Sequence, residues 1–307
     1  MKIHFLNTIW SDAIILENNH HFAFIDTGSA FYYPMVDRYL KDLKVEKLDF
    51  ILITHFHNDH YGNTKQIIDN YQIDKLYLKH YYGLDGTTSS GSTSNDEYTN
   101  SEMSKYLAIL DAANNHNTDT IFLDDFNLDY LTINLDNLEL EIYEIRHHLS
   151  EMYNDPKGEF YHQKKFNQNF NSACVFFKIN NFNVFLGADL TCSKTDIVEL
   201  KGIAIKTIEK IYQKHDINHI DIYKSCHHGG SGTNPKELCD LLKAKHVIIT
   251  NTARWLDTYT TCDDLRLANK EVNILTTDHQ KYVFDISDKI TYQTIKEESL
   301  FLTLKKD

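Results

Sequence analysis

ITHFHNDHYGN, residues 53–63, sets three histidines and an aspartate within six positions, directly behind the apolar run LDFILI (48–53). A run so nearly continuous in apolar residues is what a strand buried on both faces requires. The imidazoles and carboxylate beyond its end have little to bury. Neutral imidazole and carboxylate oxygen are, however, ligands that a catalytic zinc accepts. With extended backbone, His55 and His57 project to one side, while Asp59 and His60 lie in the turn and reach a second point. Four donors from one short segment can therefore serve two adjacent ions. The bland alternative is a polar loop in which Asn58 and Asp59 act as caps. The chain holds seventeen histidines, so clustering alone proves little and support has to come from elsewhere in the sequence.

Two distant segments supply it. FLGADLT (185–191) ends an apolar strand with Gly187 and Asp189, and an aspartate just past a strand end can bridge two cations with its two oxygens. YKSCHHGGSG (223–232) ends another strand with His227 and His228 ahead of three glycines, which let a backbone approach a ligand closely. Six of the eleven glycines (28, 62, 187, 229, 230, 232) fall in such strand-end turns, where special dihedrals are expected.

The rest of the pattern is layered. Residues 1–27 alternate short apolar runs with turn signals and read as strands; 32–43 has helical spacing with a proline near its start. A helix over 63–73 and a strand over 75–81 follow. Residues 83–101, rich in Gly, Ser, Thr and Asn, read as a loop insertion, either a mobile flap near a site or a passive surface segment. A helix is expected over 102–116, several short strands over 120–148, and a loop over 153–169. Strands then resume, with helices near 195–214 and 235–244. Strands first with helices interleaved, twice over, imply two β-rich layers with helices outside, in one domain spanning 1–307.

Composition limits the partners. No apolar run approaches the roughly 20 residues of a membrane helix, and the first residues lack the sections of a secretory signal. Five cysteines without a CxxC pair suit reduced thiols in a cytoplasm. A net charge of −13 works against a long basic track for nucleic acid, but not against a small anionic substrate at a metal site.

HxHxDH, Asp26-Thr27-Gly28, Gly-x-Asp at 187–189 and His-His-Gly at 227–229 together resemble the metallo-β-lactamase-fold hydrolases. WSDAIILENNHHFAFIDTG, FNSACVFFKINNFNVFLGADL, HHGGSGTN and ILTTDHQKYVFDI look more narrowly like the soluble hydrolase domain of ComEC-type competence proteins, over about residues 1–287. The resemblance implies an α+β, four-layer αββα sandwich and two divalent metal ions, zinc first and manganese second. It implies His55 and His57 on the first metal, Asp59, His60 and His228 on the second, and Asp189 as the bridge, with His227 as a substitute for His228. The superfamily's further histidine on the first metal has either an asparagine version here (Asn169, Asn171, Ser172) or His147, His148 or His162 in its place. The asparagine version would hold the first metal more weakly. Asp26 would fix a ligand imidazole's tautomer, the alternative being a plain turn, and Cys226 is taken as a buried thiol.

The implied chemistry is metal-assisted hydrolysis of a small or short phosphodiester, with a bridging hydroxide as nucleophile. Asp59 would orient it, and His228 with the glycine-rich turn would stabilise the developing oxyanion. The alternatives are an amide, lactone or thioester hydrolase and a non-catalytic metal-binding module.

Overall fold

Two residues in the left-handed region, Asn19 and His20 (φ 51° and 66°), close the tight turn between β2 (Ala13–Asn18) and β3 (His21–Thr27). That backbone is what a twisted two-residue hairpin demands. The computed structural model describes residues 1–82, 95–147, 168–192, 202–230, 232–256 and 260–296. β1 (Lys2–Phe5) pairs antiparallel with β2, and β2 with β3. β4 (Lys47–Leu52), β5 (Gln72–Leu78) and β6 (Asp119–Phe122) then follow in parallel. Parallel pairs need long crossovers. These carry α1 (Tyr33–Asp42), α2 (Asn58–Tyr61) with α3 (Thr64–Asn70), and α4 (Asn95–Asn115).

The second sheet repeats the plan. β7 (Tyr130–Leu135), β8 (Leu138–Tyr143), β9 (Cys174–Ile179) and β10 (Phe182–Leu186) are antiparallel. β11 (Ile222–Lys224), β12 (His246–Ile249) and β13 (Asn273–Thr276) continue in parallel. Among the described residues the helices of this half are α5 (Ile203–His215), α6 (Lys236–Leu242), α7 (Ala253–Leu256) and α8 (Thr261–Ala268). The chain returns to the first sheet through β14 (Gln280–Ile286), paired with β1, and β15 (Ile290–Lys296) forms its edge. The sheets run β15-β14-β1-β2-β3-β4-β5-β6 and β13-β12-β11-β10-β9-β8-β7.

Alternating side chains assign the layers. Phe50 and Leu52 of β4, with Val175, Phe177, Val184 and Leu186 of the other sheet, join the core between the sheets. Ile51 points the other way, to Val36 and Leu40 of α1 and Ile67 of α3. Phe176 and Phe185 pack outward with Ile208, Ile211 and Leu238 of α5 and α6. The expected αββα sandwich is thus the observed one, and the unbroken run at 48–53 reflects a strand with apolar layers on both sides.

Several local expectations differ. Of the 83–101 insertion, the part from Asn95 is already the first turns of α4, and 83–94 lies outside the described residues. β5 starts at Gln72, so the expected helix over 63–73 ends earlier, at Asn70. α7, α8 and β15 were not anticipated. β15 is mostly exposed, so it carries no apolar alternation to read.

Glu17 ties the meander to α1. Its carboxylate accepts from Lys2 Nζ (2.7 Å) and pairs with His4 Nε2 (3.1 Å), whose Nδ1 meets the Tyr39 hydroxyl at 2.8 Å. The His4 hydrogen bond, opposed by partial burial and helped by Lys2, lowers the Glu17 carboxyl to about 2. A carboxylate whose pKa falls on folding stabilises the folded state above its unfolded value, and that contribution is lost as pH falls through the folded one. Glu17→Gln should therefore cost about 0.5–1 kcal/mol at pH 7, allowing for solvent screening. The difference from the parent should shrink as denaturant titrations are repeated from pH 4.5 towards 2; a pH-independent difference would mean that packing, not charge, is the cause.

Candidate metal centre

Five strands end at one place. β3, β4, β10, β11 and β12 run in the parallel halves of their sheets, and open α/β sheets place ligands at the carboxyl ends of such strands. Asp26 lies within β3, just before its end, and beyond the ends of the others lie the 55–60 cluster, Asp189, His227 with His228, and Thr250.

The cluster is held from outside. Asp26 Oδ1 accepts from the Thr54 backbone N–H (2.8 Å), and Oδ2 accepts from the Thr54 hydroxyl (2.7 Å) and from His60 Nδ1 (2.7 Å). The Thr54 hydroxyl, already donating, can accept from His55 Nδ1 at 3.2 Å. In the same way Asp12 Oδ1 accepts from the Thr250 hydroxyl (2.6 Å), which leaves that oxygen to accept from His228 Nδ1 (2.9 Å). In all three histidines Nδ1 is anchored and Nε2 is turned inward, the arrangement by which outer hydrogen bonds fix a ligand's tautomer.

What the Nε2 atoms meet is Asp189. Its Oδ1 lies 3.3 Å from His60 Nε2, while Oδ2 lies 3.8 Å from His55, 3.7 Å from His228 and 3.8 Å from His227. Asp59 Oδ2 approaches His228 Nε2 (3.0 Å) and His60 Nε2 (3.5 Å), and His55 Nε2 is 3.0 Å from His57 Nδ1. Among the described residues, three sets have donor atoms all within 4.8 Å of one another: Asp59, His60, Asp189 and His228; His55, His57 and Asp189; and Asp12, Asp26 and His60. The structure thus brings together all six residues expected to bind metal.

Two atoms test the fit of a cation. His60 Nε2 and Asp189 Oδ1 are buried, face each other and make no hydrogen bond, although buried polar atoms are almost always paired. Nitrogen and carboxylate oxygen donors in this mixture suit a divalent metal. The local field agrees. Burial opposes a charged His60, yet Asp189, Asp26 and Asp59 raise its pKa well above the ordinary imidazole value; burial likewise opposes a charged His228, and Asp189 and Asp12 raise it to about 9. Burial works against an ionised Asp189, but His60, His228 and His227 hold it well below the usual range. His55 moves the other way, lowered by burial and by His60 and His57. The carboxylates at the second group draw positive charge strongly enough to overcome desolvation.

Two glycines make the turns possible in different ways. Gly229 has φ +84°, and a Cβ there would come 2.7 Å from Ile249 Cγ2. Gly62 has ordinary helical dihedrals and is needed for space, since a Cβ would lie 2.5 Å from the Ala30 nitrogen and the Asn58 oxygen. The expectation of special dihedrals at all six strand-end glycines is too broad.

The other candidates separate. His147 is buried in the segment after β8, four residues past Tyr143, edge-on to Tyr82 with centroids 4.7 Å apart, and belongs to none of the three sets. His148 and His162 lie outside the described residues. Asn169 Nδ2 comes within 3.3 Å of His227 Nε2. Asn171 and Ser172 are buried in the same turn, which Lys79 fastens by donating to the Asn171 carbonyl (2.8 Å). Cys226 is buried, its Sγ 3.8 Å from the Gly187 carbonyl, and burial pushes the thiol up to about 12.

Three residues escaped the sequence reading. Lys224 is fully buried, ion-paired with Asp12, donates to the Ala188 carbonyl (3.0 Å) and stands 4.0 Å from Asp189 Oδ1. Thr250 relays Asp12 to His228. The only signals were an aspartate just ahead of the apolar AIIL and a lysine inside the strand IYK.

Residues 11–123 match the family model described as metallo-beta-lactamase superfamily. The metallo-beta-lactamase fold protein YhfI from Bacillus subtilis aligns over 95% of this chain and 99% of its own at TM-score 0.51 and 10% identity. The metallo-beta-lactamase MIM-1 from Novosphingobium pentaromativorans aligns over 73% of this chain and 74% of its own at TM-score 0.39 and 16% identity. No curated protein matches the chain. From the two-sheet architecture, the matched N-terminal segment and the alignment with YhfI, the chain has the fold of the metallo-β-lactamase superfamily.

Proposed function

We propose that this chain is a metal-dependent hydrolase of small or short phosphodiesters, working with two divalent cations, zinc by preference and manganese as the second choice. The observation that carries the reading is the sharing of Asp189: one buried carboxylate turns Oδ1 to His60 and Oδ2 to His55 and His228. A ligand common to two donor groups is what a dinuclear site requires. Charge supports two ions as well. With the ligand histidines neutral and the carboxylates ionised, Asp12, Asp26, Asp59 and Asp189 against Lys224 would leave three negative charges, more than a single divalent cation neutralises.

His55, His57 and Asp189 would hold one ion, and Asp59, His60, Asp189 and His228 the other. When bound, the ions would acidify water and polarise the phosphoryl oxygen. The chain's own part is preorganisation. Asp26 and Asp12, the latter through Thr250, keep the Nδ1 protons of His60 and His228 outward. The Asp59 side chain is one-third exposed and can orient the incoming water by accepting its hydrogen bond.

The phosphodiester choice rests on the sequence likeness to ComEC-type hydrolase domains, and the preference for short substrates on the net charge of −13. The five free cysteines go with a reducing, cytoplasmic setting. With Zn²⁺ or Mn²⁺ added, bis-p-nitrophenyl phosphate and short oligonucleotides should be cleaved faster than plasmid DNA. After mild dialysis the protein should retain more than one and fewer than two ions per chain. Turnover of a lactone, thioester or β-lactam with none of any phosphodiester would replace this reading.

A further inference from the structure

Lys79, the first residue past β5, is buried. Its ammonium donates to three backbone carbonyls, those of Glu144 (2.5 Å), Arg146 (2.9 Å) and Asn171 (2.8 Å). An ammonium has three protons to give, so the cage is complete. Burial pushes the group down to about 8 against the pull of Glu144 and Asp124. Buried charges seldom serve stability on balance, which turns attention to what the cage holds in place. Glu144 and Arg146 belong to the segment after β8, and Asn171 to the 168–171 turn. The other bonds of that turn lead to the metal centre. The Ser172 N–H donates to the Asn169 carbonyl (3.2 Å) and the Ala173 N–H to the Thr54 carbonyl (2.9 Å), next to the Thr54 hydroxyl that supports His55 Nδ1. Asn169 Nδ2 lies 3.3 Å from His227 Nε2. Lys79, His55, Gln168 and Asn171 line one small cavity.

These links converge on one side of the centre. His55 and His227 face the same oxygen of Asp189, each at 3.8 Å. His60 and His228 are held from elsewhere, by Asp26 and by Thr250 with Asp12. We infer that Lys79 is a positioning residue for the group containing His55, His57 and Asp189. By closing the three-carbonyl cage it fixes the 168–171 turn against His55 and His227, and so sets how tightly the ion of that group is held. The inference rests on the two-ion reading and adds the part of the chain that governs one ion without touching it.

The test is Zn²⁺ titration of the metal-stripped full chain against a chromophoric chelator, with ions per chain counted by elemental analysis. The parent should bind two ions. Lys79→Met, which keeps the length of the side chain, and Lys79→Ala should each weaken one ion by about 10–100-fold, the effect of losing an outer support, and leave the other at parental affinity. In a His57→Ala background, which already lacks a donor of that group, Lys79→Met should weaken the remaining ion no further. Propylammonium replaces the atoms that Lys79→Ala removes and should recover the weakened ion. Propanol, which has no charge and a single donor, and tetramethylammonium, which has no N–H, should not. Parental affinity for both ions in both variants, equal weakening of both ions, or rescue by propanol as well would overturn the positioning role and leave the two-ion reading standing. A parent that takes up a single ion at saturating Zn²⁺ would remove both.

Discussion

Asp189→Ala is expected to strip most of the bound metal and to lower kcat/KM on bis-p-nitrophenyl phosphate far beyond the about 10–100-fold expected for Asp26→Ala. The two carboxylates are equally buried, so burial cannot distinguish them; their partners do. Asp26 accepts hydrogen bonds from the Thr54 N–H, the Thr54 hydroxyl and His60 Nδ1. All its contacts are to groups behind the ligands. Removing it loosens one imidazole and leaves every inward-facing donor in place. Asp189 belongs to both the group containing His55 and His57 and the group containing Asp59, His60 and His228. Its loss removes a donor from each and the negative charge that faces four histidines. Metal content by elemental analysis should separate the variants: Asp26→Ala retaining most of its metal, Asp189→Ala retaining little. Equal metal content with equal loss of turnover would show the roles to be wrongly assigned.

The legible part of this site was the part written in one stretch. His55, His57, Asp59 and His60 share a turn behind β4, and β4 announces itself because both faces are covered. Asp189 and His228 were legible for a related reason, since each follows a strand and has a glycine within two residues. Of the outer supports only Asp26 was. Asp12, Lys224 and Thr250 come from three segments, and only the meeting of two sheets makes them neighbours. Lys224 is the instructive case: a lysine in a short strand ordinarily marks an edge, yet here it is fully buried because Asp12 and the Ala188 carbonyl receive it. Sequence-local patterning predicts burial from apolar neighbours and has no means of finding a counter-charge more than two hundred residues away. The alternatives for the first group's further donor illustrate the same limit. Its position depends on how the 168–171 turn lies against the Cys226–Gly229 turn, and no spacing within either segment encodes that.

Lys224→Met should be among the most destabilising single substitutions in the chain, costing about 3–5 kcal/mol, the range for breaking a buried ion pair from one side. The lysine is inaccessible, and so is Asp12. Burial opposes ionisation of Asp12, but Lys224, His228 and His60 hold its carboxyl well below the usual range. Losing the ammonium leaves that charge uncompensated and brings Asp12 and Asp189 into unrelieved repulsion. Asp12→Asn alone strands the lysine and weakens the acceptor that orders Thr250 and His228. Changing both together removes the charges as a pair, so the double variant should cost less than the sum of the single ones, by about 0.5–3 kcal/mol as coupled neighbours do. Urea titrations of the four proteins, stripped of metal with a chelator, measure this directly. Zn²⁺ should then restore more stability to Lys224→Met than to the parent, because a cation enters the field the ammonium had neutralised. Additive single losses would show that Lys224 and Asp12 act independently, and an equal gain from Zn²⁺ in both proteins would separate the ammonium from the metal centre altogether.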